Sequence, residues 1–530
     1  MSAFVSTGTL VRLILRRDRI PLAIWIALVV LAPIGIAASF AKLYPTAAAI
    51  QAYTDANMST SATIATLGFI FSPTLGGLAA WRTGLQSAIL IAPVSLLLVI
   101  RHTRTEEETG RRELLGAAVV GRHAQLTAAL IVTLGANLVI AALIAGGLIG
   151  LGLPAAGAIA LGLSAASSGW VFAAIGAVAA QVTESPGGAR GIALAAFGLA
   201  YLVRIVGDSS GPEGERLWLS WLSPLGWVRL TRAFAGERWW VFALPLGLAV
   251  ALAVLAYVLS ARRDLGAGLL PARLGPEGAA PGLRSPLALA WRLQRGALLG
   301  WTAGALVFGT LLGSIGQSMS KFVDTPELSG WVARMGARDA GDAFLFIIMY
   351  VLGQVAAAYA IMAALRLRSE EVDGRADPVL ATPVSRLRWA SSHLVFAALG
   401  PTVVLAVLGL TIGLGYGLSS GDVGDALPRL LARTLATLPA VWVMAGLATL
   451  LYGLLPRLAM AVSWAALALF LALELGWELQ QVSQSVFDIS PFAHVHWASP
   501  VSVAALIWLT AVAALLTAAG LAGLRRRDLG

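Results

Sequence analysis

Residues 104–122 read RTEEETGRRELLGAAVVGR, and residues 368–386 read RSEEVDGRADPVLATPVSR. Setting Gly110 on Gly374, an offset of 264 (374 − 110), also sets Arg104 on Arg368, Glu106 on Glu370, Glu107 on Glu371 and Arg111 on Arg375. It further sets Ala117 on Ala381, Val120 on Val384 and Arg122 on Arg386, with Glu113 facing Asp377. A charged pattern that returns at fixed spacing while the apolar sequence around it drifts marks an internal repeat, and the repeat decides how the whole chain is read. Three other landmarks agree. Arg16, Arg19 and Trp25 are answered by Arg292, Arg295 and Trp301, Ser223-Pro224 by Ser490-Pro491, and RRDLG occurs at 262–266 and again at 526–530.

These charged islands interrupt a chain that is 58% hydrophobic and 12% charged, with a mean hydropathy of +0.82. Such values exclude an ordinary soluble globular protein. A helix needs about 20 apolar residues to cross roughly 30 Å of hydrocarbon. Stretches of that kind lie at 20–42, 77–100, 125–152, 155–181, 188–207 and 239–260, and again at 297–318, 343–365, 390–416, 430–454, 458–478 and 499–523. The expected fold is therefore an all-α polytopic membrane protein of about twelve transmembrane helices, arranged as two tandem six-helix repeats. Residues 1–260 form the first half and 292–530 the second; 261–291, rich in proline, glycine and arginine, reads as a flexible cytoplasmic linker. Two halves with the same helix order and the same starting side make a parallel repeat about an axis along the membrane normal.

The net charge of +10 would suggest nucleic acid in a soluble protein. Here the arginines cluster beside span ends, where the positive-inside rule accounts for them, so no nucleic-acid partner is expected. Arg12, Arg16, Arg17 and Arg19 precede the first span, Arg101 to Arg122 follow the second, and Arg525 to Arg527 close the chain. With an even span count this gives a multi-pass protein of the cell (plasma) membrane, embedded in the lipid bilayer, with both termini cytoplasmic. The start shows no small-residue cleavage site, so the first helix reads as retained rather than as a signal peptide. The segment 204–238 mixes both charge signs with nearby tryptophans and suits short amphipathic or re-entrant helices at the far interface. Cysteine is absent, which removes disulfides, thiolate metal sites and cysteine nucleophiles.

After Gly110 the sequence can form about three helical turns, with Leu114, Leu115, Ala118 and Val119 as an apolar stripe. Glu107 and Glu108 stand four residues before Arg111 and Arg112, the favourable order for helical ion pairs. A solvated juxtamembrane helix explains one such island; a matched pair suggests two handles for a two-fold symmetric cytoplasmic partner such as an ATPase dimer. The pattern E-E-x-x-G-R-x-[ED], followed by a hydrophobic run and an arginine, resembles the coupling helix of type-2 ABC export permeases. More narrowly, the fused twelve-span layout and RRDLGAGLLPARLGP at 262–276 resemble the actinobacterial exporters of polyketide antibiotics, the tetronasin type.

The resemblance implies a non-enzymatic permease that exports hydrophobic or amphipathic drugs, with hydrolysis on a separate ATP-binding ABC subunit, in two copies, that carries ATP and Mg. It implies that Glu106, Glu107, Gly110, Arg111, Glu113 and Arg122 contact this subunit, together with Glu370, Glu371, Gly374, Arg375, Asp377 and Arg386. Pro378 and Pro383 in the second island should shorten or bend its helix. The chain holds only Lys42 and Lys321, neither preceded by glycine, so it has no phosphate-binding loop of its own and no cofactor is expected in it.

Among the remaining polar residues, Arg204 and Glu474 lie near the outer ends of the fifth and eleventh spans and are expected to pair; independent snorkelling is the plainer alternative. Gln86, Asn137 and Gln354 could line a path, although amides in spans more often join helices through hydrogen bonds. His494-x-His496 lacks convincing partners for a metal, and no catalytic constellation emerges. A proton-coupled carrier of the major facilitator kind is the competing reading, with Glu474 as its only reasonable acid. A non-transporting membrane scaffold is the third.

Overall fold

The computed structural model describes residues 3–58, 68–108, 119–208, 217–264, 266–270, 278, 280, 282–320, 340–478, 482–497 and 501–528. The chain divides into two compact units, Met1–Gly275 and Pro276–Gly530, and the division falls inside the expected linker. Among the described residues no strand longer than an isolated bridge occurs, and ten helices are long and apolar enough to cross a membrane. The protein is an all-α, multi-pass membrane protein.

The first unit runs α1 (Thr7–Leu43), α2 (Ala47–Met58), α3 (Leu75–Ile100), α4 (Ala124–Gly150), α5 (Ala155–Val182) and α6 (Pro186–Asp208). Two short helices follow, α7 (Leu217–Leu222) and α8 (Pro224–Leu230), and then α9 (Ala243–Arg262). The second unit runs α10 (Pro286–Ser320), α11 (Ala340–Val372), the single turn α12 (Asp377–Leu380) and α13 (Arg386–Ser420). It continues with α14 (Val423–Leu435), α15 (Leu438–Leu454), α16 (Ala459–Glu478), the turn α17 (Gln484–Phe487) and α18 (Val503–Arg526). Every expected span falls on a helix. The 430–454 span falls on two, α14 and α15, which break at Thr437 ahead of Pro439; proline there removes an N–H that the first turn would not use.

Each unit packs in the same pattern. In the first, α1 lies on α3 and α4, and α5 is covered by α3, α4 and α9; in the second, α10 lies on α11 and α13, and α15 is covered by α11, α13 and α18. Small residues permit the closest of these approaches. At the α15–α18 crossing a Cβ on Gly453 would stand 2.0 Å from the Gly520 carbonyl oxygen, so the two backbones are in direct contact.

Two helices run further than hydropathy alone indicates. Helix α1 begins at Thr7 because Leu10, Ile14, Asp18 and Leu22 recur every four residues on its buried face. Helix α3 passes at Ile100 into a π turn, Arg101–Thr105, and one further helical turn, Glu106–Glu108. The mixed segment near 204–238 does contain short helices. Ser223 caps α8 by accepting from Leu225 N at 3.2 Å, and Ser490 accepts from Phe492 N at 3.3 Å at the head of a 3-10 turn, Pro491–Val495. The repeated Ser-Pro is therefore a repeated helix start.

Candidate functional site at the island end of each half

The π turn rotates the end of α3 so that Arg104 points inward and is 1% exposed; π turns inside helices are frequent at functional positions. Arg104 Nε donates to the Glu184 carbonyl at 2.7 Å, Nη1 to Glu107 Oε2 at 2.6 Å, and Nη2 to the Gly266 carbonyl at 2.8 Å. Arg263, just past the end of α9, closes the same knot. Its Nη1 and Nη2 each donate to one Glu107 oxygen at 2.9 Å, and its Nε donates to Gln181 Oε1 at 2.7 Å. Arg122 Nη2 donates to the Ala261 and Ser260 carbonyls at 2.6 and 3.2 Å, a cation placed on the carbonyl end of α9.

The second half repeats the centre of this arrangement at the repeat-equivalent residues. Arg527 Nη1 and Nη2 each donate to one Glu371 oxygen at 2.8 Å, Arg368 lies 3.5 Å from the same carboxylate, and Arg386 Nη1 donates to the Arg527 carbonyl at 2.7 Å. Arg527 also lies over the Tyr452 ring at 4.7 Å. In each half the island after the second span is thus clamped to the end of the last helix. Paired N–H donors on one carboxylate are among the strongest polar contacts available to a protein, and they fix orientation as well as distance.

The burial of this clamp shows what holds the acidic residues of each island. The Glu107 and Glu371 side chains are each 3% exposed, and they brace the island from inside. Among the described residues Glu107 is held by Arg104 and Arg263; the expected pairing with Arg111 lies outside them. Glu106 pairs with Arg17 at 2.5 Å, and Glu370 with Arg366 at 2.7 Å and Arg375 at 3.1 Å. The exposed part of the second island is the turn beyond: Gly374, at φ 67°, with Arg375 and Asp377. Helix α12 is only four residues long with Pro378 in its first turn, as its prolines predict. Gly110, Arg111 and Glu113 lie outside the described residues.

The exit from the first island is held by the chain's own beginning. Gly121 N donates to the Val5 carbonyl at 3.0 Å, His123 N to the Ala3 carbonyl at 2.9 Å, and Ser6 Oγ to the Val119 carbonyl at 2.7 Å. Alongside, Asp18 on α1 meets His102 at 2.5 Å and Arg101 at 3.2 Å. At the corresponding position of α10, Gln294 hydrogen-bonds His393 of α13. The two halves therefore differ in how their first helix is secured.

Arg204 and Glu474, expected to meet each other, are each engaged within their own half. Arg204 Nε lies 2.5 Å from Asp208 Oδ2, while Glu474 accepts from the Tyr350 hydroxyl at 3.1 Å and from the Gln354 amide. Gln354 is buried, 5% exposed, where it makes that contact. Asn137 is buried too and donates to Ser95 Oγ at 3.1 Å, joining α4 to α3. Gln86 is exposed on α3. His494 Nε2 contacts the Asp488 carbonyl at 3.1 Å, and His496 packs among Tyr350, Trp477, Phe487 and Trp497. Among the described residues no cluster of three His, Asp or Glu suited to a metal occurs.

Arg263 and Arg527 escaped the sequence reading as site residues. Their signal was present, because RRDLG recurs at the same 264-residue offset as the islands and so carries Arg263 to Arg527 just as it carries Glu107 to Glu371.

Comparison with known proteins accords with this geometry. Residues 283–525 match the family model for the C-terminal domain of the multidrug efflux system permease Rv1217c. Across nearly the whole chain, the sequence is 41% identical over 533 residues to the multidrug efflux system permease protein Rv1217c of Mycobacterium tuberculosis, covering 99% of this chain and 96% of that protein. The chain, with an ion-pair clamp in each of its two units, belongs to the family of multidrug efflux system permeases represented by Rv1217c.

Proposed function

We propose that the chain is the transmembrane permease of an ATP-driven ABC exporter of hydrophobic or amphipathic drugs, of the tetronasin type, working with a separate ATP-binding subunit that carries ATP and Mg. The observation that supports this reading is the doubled clamp: in each half the island after the second span is fixed by a buried bidentate ion pair to the end of the last helix. Force applied to the island is then passed to two helices at once. Each half offers one island, so two copies of the ATP-binding subunit can take one each. The arginine-rich island end faces the cytoplasm, as do both termini.

In this reading ATP binding shifts the balance between inward-open and outward-open states through differential contacts at the islands. Exposed Arg375 and Asp377 meet the subunit, while Glu107 and Glu371 transmit the movement. The test is co-purification with an ATP-binding subunit followed by ATPase measurement in lipid. Drug-stimulated hydrolysis that falls in Arg375→Ala and Asp377→Ala supports the reading; a permease that exports drugs without any such subunit removes it.

A proton-coupled mechanism draws on one observation, the buried Glu474 carboxylate held by Gln354 and Tyr350. An acid inside a span is costly and is commonly functional. Glu474 accepts from neutral donors, whereas the acid nearest its position in the first half, Asp208, one residue from equivalence under the Ser-Pro offset, is paired with Arg204 and Arg229.

A further inference from the structure

At the end of the first half opposite the island, a small cavity opens between α3, α5 and the segment after α8. It is lined by Phe69, Phe71, Trp81, Leu161, Arg229 and Arg232 among others and encloses about 30 Å³. A buried water needs about 10–15 Å³ on this measure, so the cavity has room for roughly two waters or one small charged group. A whole drug molecule does not fit.

Two arginines here meet on one carboxylate among the described residues. Arg229 is 6% exposed and shares the single carboxylate of Asp208 with Arg204; Ser220 Oγ donates to the same Asp208 oxygen at 2.7 Å. Arg229 Nε and Nη1 and Arg232 Nε are buried without a hydrogen-bond partner. Buried guanidinium donors are costly to leave unsatisfied. Burial pulls the Arg229 pKa down to about 10, which still leaves it charged at neutral pH. Nearby Glu237 directs Oε1 to Phe234 N at 3.2 Å, and no ion pair between it and Arg229 or Arg232 occurs among the described residues.

The surroundings are apolar and aromatic. Arg229 lies 5.2 Å from the Phe69 ring centroid and Arg232 4.7 Å from that of Phe71. Gly68, at φ 86°, passes so close that a Cβ there would stand 2.1 Å from Arg229 Nη1. Arg232 and Phe234 hold left-handed backbone at φ 53° and 61°, which fixes the turn carrying Arg232.

We propose that this cavity seats the carboxylate or phosphate headgroup of one amphipathic anion, with Arg229 and Arg232 as donors and Phe69 and Phe71 against its apolar body. The guanidinium fork matches an oxyanion, and the small volume admits the head while the tail stays outside. The anion can come from the bilayer, as an acidic phospholipid, or arrive free, as an amphipathic acid. The site does not depend on an ATP-binding subunit, so its failure would leave the exporter reading intact.

The experiment uses the full-length permease in phosphatidylcholine nanodiscs, with radiolabelled decanoate as probe and empty discs as baseline. Saturable binding is expected, with affinity reduced about tenfold by Arg229→Gln or Arg232→Gln, the loss of one charge-assisted contact. The uncharged decanol should not compete. Arg232→Gln leaves the Arg229–Asp208 contact in place, which keeps the test valid if Arg229→Gln does not fold. Displacement of decanoate when phosphatidylglycerol is included identifies the lipid as the source; retention identifies the free acid. No saturable binding, equal affinity in the Arg232→Gln protein, or equal competition by decanol overturns the proposal.

Discussion

The Arg263 guanidinium donates two parallel hydrogen bonds, each 2.9 Å, to the Glu107 carboxylate. The same bond pair, each 2.8 Å, joins Arg527 to Glu371 exactly one repeat later in position. Both carboxylates are 3% exposed. Removing one partner of a buried pair strands the other, at a cost of about 3–5 kcal/mol. Glu107→Ala and Arg263→Ala should each destabilise the purified protein by that order in detergent unfolding measurements, and Glu371→Ala and Arg527→Ala likewise. The double variant in either half should lose less than the sum of its singles.

The all-α membrane fold and the short helices near 217–230 were legible in the sequence, because long apolar runs and a twice-used charge pattern survive drift in everything else; of the twelve spans expected, ten helices among the described residues are long and apolar enough to cross a membrane. The partners of the charges were not legible. Local helical spacing could not show that the π turn at Arg101–Thr105 turns Arg104 inward and brings Glu107 to Arg263 at a sequence distance of 156. Arg204 found Asp208 one turn away, and Glu474 found Gln354 and Tyr350, since an ionised group inside a span is satisfied by the nearest donor or charge that packing brings to it. Helix α1 outran its apolar core because burial of Leu10 and Ile14 on one face does not raise average hydropathy.

Asn137 and Ser95 bind α4 to α3 through a buried pair of polar groups. Interhelical contacts of this kind contribute about 0.6 kcal/mol on average, up to about 1.7. Asn137→Leu should cost stability in that range in SDS unfolding while leaving drug preference unchanged; altered preference would place Asn137 on the transport path.

At the α15–α18 crossing, Gly453 faces the Gly520 carbonyl with no space for a methyl group. Gly453→Val should force the helices apart and cost about 1–3 kcal/mol, the usual penalty for overpacking a filled interface. Thermal unfolding of the purified variant measures it, and Gly35→Ala, where a Cβ meets nothing within 4 Å, is the matched control.

Glu474 separates the two transport readings. As a buried acceptor for Gln354 and Tyr350 it has a structural role, and Glu474→Gln should retain ATP-dependent efflux with at most a modest loss of stability, about 1–3 kcal/mol for a disturbed buried hydrogen bond. Efflux that loses its dependence on external pH in this variant would assign Glu474 to proton movement.

The most direct test of the central claim is drug efflux from proteoliposomes that hold the permease with or without its ATP-binding subunit. The account predicts transport only when subunit and ATP are both present, and its loss in Arg263→Glu, which sets a second carboxylate against Glu107. Equal transport by the permease alone, driven by an imposed proton gradient, would contradict it.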